Sequence, residues 1–136
     1  MPTFENAESL QKVLGGFFEF ILKDPAMGPP LKSSGLVLKF SYTEPDLAIT
    51  VNLSGSEPRI SFNDVETTPE VEMKMKADVA HRFWFGKVNL MIALVRREIV
   101  AKGPIPKILK LLPIIKPAYA AYPNYLKENG FSKYLL

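Results

Sequence analysis

Four short runs between residues 36 and 76 alternate apolar with polar side chains, and this alternation predicts a β-sheet. The runs cover residues 36–42, 47–53, 60–62 and 71–76. Successive side chains of a strand point to opposite faces, so the pattern indicates antiparallel strands with one face buried and one solvated. The breaks between the runs are short and turn-like, which predicts sequential pairing into a four-stranded meander.

Helical patterns flank these strands. Apolar residues recur every three or four positions from Leu10 to Leu22, which predicts an amphipathic helix with Asn6 as its N-cap. Residues 25–34 are rich in Pro, Gly and Ser and are predicted to form a loop. Further elements are predicted after the fourth run, namely helices over 79–85, 90–95, 105–115 and 117–129 and a fifth strand over 97–102. This order is typical of an α+β domain with helices on one face of an antiparallel sheet.

Composition narrows the classes of function. The 136 residues fit a single domain over 1–136, and the absence of cysteine excludes disulfides and thiolate chemistry. The N-terminus does not resemble a secretory signal, and no apolar run approaches the roughly 18 residues of a membrane span, so a cytoplasmic protein is predicted. A formal charge of +3 favours an anionic head group or membrane surface, and it is too small to indicate nucleic-acid binding.

Catalytic motifs are missing from the sequence. His81 is the one histidine, and Asp78 lies three residues before it, where a helix would bring the two side chains together as in a general-base pair. No serine stands in a Gly-x-Ser-x-Gly elbow, and phosphate-binding glycine loops and metal-ligand clusters are also missing. We therefore interpret His81 as a surface histidine near a helix-capping aspartate, and we expect neither an enzyme nor a cofactor.

The apolar faces of the helices and strands form either a solid core or a core with a hole, and periodicity does not distinguish the two. An empty apolar void of roughly 300 Å³ would cost on the order of 7 kcal/mol. That cost is comparable to the stability of a whole domain, about 5–15 kcal/mol. Such a fold must therefore collapse the hole or carry a ligand in it.

Residues 86–103 carry a spaced motif that resembles a known signature. In the sterol carrier protein type 2 domain family, a Gly-Lys-Leu-Asn-Pro run precedes an Ala-Phe pair and a Gly-Lys-Leu-Lys-Ile-Lys-Gly strand. Aligned without gaps, the residues that match this signature are Gly86, Lys87, Asn89, Ala93, Lys102 and Gly103. The chain departs from it at Leu90, which replaces the proline, and at Arg97, Glu98 and Val100 in the strand.

The resemblance implies a five-stranded sheet under helices, enclosing an apolar tunnel for a fatty acid, fatty acyl-CoA or sterol-like lipid. Taking the inward faces as its lining, the predicted lipid-binding residues are Leu14, Phe17, Phe18, Ile21, Phe40, Ile49, Val51, Phe62, Met73, Met75, Trp84, Met91, Leu94, Ile99, Ile105, Ile108, Leu109 and Leu112. A basic rim facing a head group or an anionic membrane is predicted at Arg96, Arg97, Lys107 and Lys110. The alternative is a filled-core accessory or interaction module that assists lipid-related biosynthesis.

Overall fold

The alternating runs form one mixed sheet in the computed structural model of the protein, which describes residues 2–136. The strands are β1 Val37–Thr43, β2 Leu47–Asn52, β3 Arg59–Phe62, β4 Val71–Lys76 and β5 Ile99–Lys102. Their order across the sheet is β3-β2-β1-β4-β5. Three of the four strand pairings are antiparallel and β1–β4 is parallel, so the prediction of an α+β fold with a five-stranded, mainly antiparallel sheet is confirmed.

The predicted four-stranded meander is wrong at its last step. Strands β1, β2 and β3 do pair sequentially, but β4 lies beside β1 in parallel, with Leu38 opposite Val71. Residues 63–70 carry the chain from the edge strand β3 past β2 and β1 to reach this position. Period-two alternation assigns a side chain to a face of the sheet, but it contains no information on which strand is the neighbour.

Helices account for most of the remaining chain. They are α1 Ala7–Leu10, a π-helical turn Gln11–Gly15, α2 Gly16–Lys23, α3 Gly28–Ser34, α4 Ala77–Trp84, α5 Leu90–Val95, α6 Ile105–Ile115, α7 Ala118–Glu128 and a 3₁₀ turn Ser132–Tyr134. The side chain of Asn6 caps α1 by accepting a hydrogen bond of 2.8 Å from the Ser9 amide, as predicted. No helix within residues 2–136 is long and apolar enough to cross a bilayer.

The prediction of a loop over residues 25–34 is wrong, because most of this segment is α3. Pro29 and Pro30 lie in the first turn, where a backbone N–H has no acceptor within the helix, so proline costs nothing there. Gly35, with φ of 65°, ends the helix in the left-handed conformation that glycine adopts without strain.

The π-helical turn after α1 coincides with a contact from α7. The Tyr125 hydroxyl donates a 2.8 Å hydrogen bond to the Val13 carbonyl oxygen. A Cβ atom on Gly16 would collide with that hydroxyl, so the missing side chain leaves the room for this contact. A side chain inserted at a helix carbonyl disturbs the regular ladder of backbone hydrogen bonds, which accounts for the π turn at this point.

Candidate binding cavity

An apolar cavity of about 100 Å³ lies between the sheet and the helices. The sheet contributes one wall, formed by Leu38, Phe40, Tyr42, Val51, Leu53, Met73, Met75 and Ile99. The helices contribute the other wall, formed by Phe18, Ile21, Leu22, Leu31, Ala80, Phe83, Trp84, Leu90, Ile108, Leu111, Leu112 and Ile115. Helices α2 to α6 and strands β1, β2, β4 and β5 all take part, so the space is a product of the whole fold.

The register of the sheet places the wall residues in rows. Tyr42 lies opposite Met75, and Met75 lies opposite Ile99, so these three side chains share one face and one row. Neighbouring strands lie about 4.8 Å apart, so the row extends about 10 Å from Tyr42 to Ile99. The methionine between them is unbranched and flexible, and it adapts to ligands of irregular shape.

The chemistry of the wall is almost wholly apolar. None of its residues is charged, and Tyr42 and Trp84 are the two that carry a polar side-chain atom. Tyr42 is 4% exposed, and burial raises its pKa, so the phenol stays neutral at physiological pH. Among residues 2–136 its hydroxyl has no hydrogen-bond partner. The cavity is therefore suited to a hydrocarbon segment and offers no cation to an ionised head group.

Ten of the predicted lipid-binding residues lie on the cavity wall. They are Phe18, Ile21, Phe40, Val51, Met73, Met75, Trp84, Ile99, Ile108 and Leu112. They share the inward face of a strand or the apolar side of a helix, which is the property that the sequence pattern reports. Their binding of lipid stays a prediction.

The other eight predicted residues lie outside the wall. Leu14, Phe17 and Ile49 are fully buried in the solid part of the core. Met91 is exposed on α5, and Leu109 is half-buried on α6. Phe62 packs against Gly15, whereas Leu94 and Ile105 line a second hollow.

Several wall residues are missing from the predicted set, and they fall into three cases. Leu38, Tyr42 and Leu53 have the same parity along their strands as predicted wall residues, so the period-two signal for them was present. Leu31 lies in the segment predicted to be a loop, and no periodicity indicated that it would turn inward. Ala80 is too small to be recognised as a lining residue from its type, although its small side chain helps to leave the space open.

All four residues of the predicted basic rim are exposed, but they are not equivalent. Arg97 contributes to the second hollow, of about 250 Å³, together with Leu94, Ile105 and the strand residue Ile99. Ile99 also lines the main cavity, so the hollow begins where the row from Tyr42 ends. Lys107 forms an exposed ion pair with Glu70 at 3.3 Å, and such pairs contribute little to stability.

The interpretation of His81 as a surface residue is wrong, because its side chain is buried between α4 and the C-terminal segment. Its Nε2 lies 2.8 Å from the Tyr134 carbonyl oxygen, and its Nδ1 lies 2.8 Å from the Tyr122 hydroxyl. A carbonyl only accepts, so Nε2 carries the proton and Nδ1 accepts from Tyr122. Burial lowers the pKa of His81, so the neutral form is favoured.

Asp78 has a different role from the predicted one. It lies in the first turn of α4, and its carboxylate accepts a 2.9 Å hydrogen bond from the Thr3 amide. The imidazole nitrogens of His81 are both occupied by other partners, so the two side chains do not form a general-base pair. Within the described chain, no group of three or more His, Asp or Glu side chains is placed to hold a metal ion.

The chain matches a known protein family. The profile of the SCP-2 sterol transfer family matches residues 5–116, which include every strand and six of the seven α-helices. Comparison of the sequence with curated proteins finds no match.

Comparison with solved structures finds the same fold at low sequence identity. The apo form of sterol carrier protein 2 from Yarrowia lipolytica has a TM-score of 0.61 and 14% identity, over 78% of this chain and 89% of that one. A structure described as "UbiJ-SCP2 Ubiquinone synthesis protein" has a TM-score of 0.61 and 14% identity, over 87% and 95%. The sterol carrier protein domain 2 of Helicoverpa armigera has a TM-score of 0.54 and 14% identity, over 83% and 81%.

Proposed function

This chain belongs to the SCP-2 sterol transfer family, and from that premise we propose that it is a non-enzymatic, cytoplasmic lipid carrier. The apolar part of a fatty acid, fatty acyl-CoA or sterol-like lipid would occupy the space between sheet and helices. The observation that supports this proposal is the apolar cavity walled by both layers of the fold. Burying hydrocarbon in such a space gains about 0.8 kcal/mol per methylene.

The size of the cavity requires a wall that moves. About 100 Å³ is less than the roughly 300 Å³ at the lower end of typical ligand pockets, so a long chain needs more room. Helix α6 is the candidate for a lid because Ile108 is the one buried residue of its eleven. Pro113 lies inside α6 and lacks the N–H that would bond to the Leu109 carbonyl, which further weakens the helix.

A contact with an anionic membrane surface completes the proposal. Met91, Ile92 and Val95 on α5 are 52%, 50% and 81% exposed, which is unusual for large apolar side chains on one short helix. The exposed basic residues Lys87, Arg96 and Arg97 flank this patch in sequence. Basic residues near an anionic bilayer contribute about 1 kcal/mol each.

The position of α5 links this contact to the cavity. Leu90, on the same helix, lines the cavity wall. Docking through the exposed side of α5 would therefore bring one wall of the cavity to the bilayer surface, where lipid is exchanged.

Cavity filling tests the carrier. Ala80→Leu adds three carbon atoms on the cavity wall, whereas Ala118→Leu makes the same change at a buried alanine of α7 that is not on the wall. Mass spectrometry of organic extracts and titration with a fluorescent fatty acid should show a bound amphiphile in the unmodified protein and in Ala118→Leu, and a loss of at least tenfold in affinity in Ala80→Leu. Equal binding by Ala80→Leu and the unmodified protein would contradict the proposal.

Vesicle flotation tests the membrane contact. Met91→Ser combined with Val95→Ser should reduce binding to vesicles containing phosphatidylglycerol, and phosphatidylcholine vesicles should bind weakly in every case. Val65→Ser is the matched control because Val65 is 90% exposed and belongs to the connection between β3 and β4, not to α5. If Val65→Ser and the double variant bind equally, α5 is not the contact.

An accessory role in lipid-related biosynthesis is the second candidate. The small volume of the cavity favours it, since a nearly filled core needs no cargo. The likeness to the structure described as a ubiquinone synthesis protein concerns the fold, which makes this role worth testing. Extracts free of any amphiphile, together with no fatty-acid binding, would favour the accessory role over the carrier.

A further inference from the structure

Tyr42 differs from the other buried tyrosines in having a hydroxyl group without a partner. The hydroxyls of the other three are bonded at 2.8 Å: Tyr122 to His81, Tyr125 to the Val13 carbonyl and Tyr134 to Glu5. Nothing in residues 2–136 accepts from or donates to the Tyr42 hydroxyl, although that side chain is 4% exposed. In the described chain the side-chain polar atom that is both wholly buried and unpaired is Thr50 Oγ1, so the unpaired Tyr42 hydroxyl keeps some accessible surface. An accessible hydroxyl without a partner, on a residue of the apolar cavity wall, is free to bond to a bound molecule.

The surroundings of Tyr42 determine what kind of group would satisfy it. Its ring stacks beside Phe40, with centroids 6.5 Å apart and planes 15° apart, and its neighbours in the sheet register are Leu47 and Met75. All of these are apolar, and the cavity wall carries no cation. An ionised carboxylate buried here would lose its hydration without compensation, whereas an uncharged oxygen needs one hydrogen bond.

We propose that the Tyr42 hydroxyl is a polar subsite of the cavity, which recognises an uncharged oxygen on the buried part of the ligand. The inference rests on the proposed carrier function and narrows the ligand class to lipids with a carbonyl, ester, ether or hydroxyl group within the hydrocarbon segment. The phenol can donate to any of these and accept from a hydroxyl. Any anionic group of the ligand would lie elsewhere. The basic residue Arg97 lines the second hollow together with Ile99, and Ile99 is at the other end of the row from Tyr42, about 10 Å away from it.

A pair of nearly isosteric probes isolates the hydroxyl. Hexan-2-one and 2-methylhex-1-ene differ by replacement of the carbonyl oxygen with a methylene group, and both are volatile enough for headspace gas chromatography over protein solution. Tyr42→Phe removes the hydroxyl alone, and Tyr119→Phe makes the same change at a half-buried tyrosine that is not on the cavity wall. Circular dichroism and thermal unfolding of each variant verify that the fold is retained.

The expected result is a change in selectivity. Tyr42→Phe should bind the ketone about 3- to 10-fold more weakly than the unmodified protein, the range for loss of one neutral hydrogen bond. Its affinity for the alkene should be unchanged or higher, because the alkene leaves the hydroxyl of the unmodified protein unpaired. Tyr119→Phe should bind both probes as the unmodified protein does.

Two other results would overturn the inference in distinguishable ways. If Tyr42→Phe retains the ketone affinity of the unmodified protein, or weakens both probes equally, the hydroxyl is not a subsite although the cavity still binds apolar molecules. If the unmodified protein binds neither probe and no fluorescent fatty acid, the cavity does not take ligands and the carrier function fails with it.

Discussion

The Nδ1 atom of His81 lies 2.8 Å from the hydroxyl oxygen of Tyr122, and this bond joins α4 to α7 inside the core. The other ring nitrogen bonds to the Tyr134 carbonyl oxygen, so the single histidine of the chain holds two parts of its C-terminal region. The His81 ring also packs edge-to-face with the rings of Phe4 and Phe85, at centroid distances of 5.3 and 5.0 Å respectively. These contacts give His81 a structural role.

Tyr122→Phe should therefore destabilise the protein. The substitution leaves Nδ1 of His81 buried without a donor, which costs about 1–3 kcal/mol in the free energy of unfolding. Urea denaturation monitored by tryptophan fluorescence measures this change. Tyr119→Phe, at a half-buried position of the same helix, should stay within about 0.5 kcal/mol of the unmodified protein. Equal stability of the two variants would show that the bond contributes nothing.

The burial of His81 predicts how stability depends on pH. Burial lowers the pKa of His81, opposed by the Tyr134 carbonyl and the charge of Asp78, while Arg82 lowers it further. Below the pKa of an unfolded histidine, about 6.5, the unfolded chain binds the proton more readily than the folded one. Stability should thus be full above pH 7 and fall as the pH drops from 7 towards 5, by at most about 1.4 kcal/mol per pH unit.

Denaturation curves at pH 5.5, 6.5 and 7.5 test this dependence. The carboxylate of Glu5 is bonded to Lys133, which lowers its pKa to about 2, so the loss of stability from its protonation lies below this window. His81→Gln is the control because the amide can still donate to the Tyr134 carbonyl and accept from Tyr122, but it does not titrate. If the free energy of unfolding of His81→Gln changes with pH as steeply as that of the unmodified protein, His81 is not the cause of the pH dependence.

The local elements were largely predictable from the sequence because their signals are local. The bounds predicted for β4, α5 and α6 coincide with the observed Val71–Lys76, Leu90–Val95 and Ile105–Ile115. In each of these elements the apolar periodicity and the Pro, Asn or Gly that flanks it lie within one short stretch of the sequence. The pairing of β4 with β1 was not predictable in this way, since it depends on contacts between segments distant in the chain.

The faces of the strands and helices that point towards the cavity could be predicted from the sequence, but the point at which the cavity ends and the solid core begins could not. Leu14 and Phe18 belong to one apolar stripe, yet Leu14 lies in the solid core while Phe18 lies on the cavity wall. Periodicity reports that a side chain points inward and says nothing of how completely the space in front of it is filled. The burial of His81 had no local signal either, because its partners Tyr122 and Tyr134 lie 41 and 53 residues away.

Thr50→Val should stabilise the protein. Thr50 lies on β2 with its side chain on the face opposite Ile49, and it is 1% exposed with no hydrogen-bond partner for Oγ1 in the described part of the chain. Valine has nearly the same shape and removes the uncompensated hydroxyl, so the free energy of unfolding should rise by about 1 kcal/mol or more. Thermal and urea denaturation measure the change, and Thr43→Val at an exposed position of β1 should have little effect. A loss of stability in Thr50→Val would indicate that Oγ1 is satisfied in solution.

Gly16→Ala sets two effects of opposite sign against each other. Alanine in a helix gains about 1 kcal/mol over glycine through its higher propensity. However, the alanine Cβ would collide with the Tyr125 hydroxyl. The collision would break the 2.8 Å hydrogen bond from this hydroxyl to the Val13 carbonyl oxygen. Loss of this buried hydrogen bond and the required repacking together cost about 2–4 kcal/mol, so a net destabilisation of about 1–3 kcal/mol is expected.

A double-mutant cycle separates the two effects of Gly16→Ala. In the Tyr125→Phe background the hydroxyl is already absent, so the same glycine substitution should be neutral or stabilising, and the two changes should couple by at least about 1 kcal/mol. Urea denaturation of the four proteins gives the coupling free energy. Additive effects would mean that the glycine does not serve the Tyr125 contact, and the π-helical turn would then need another cause.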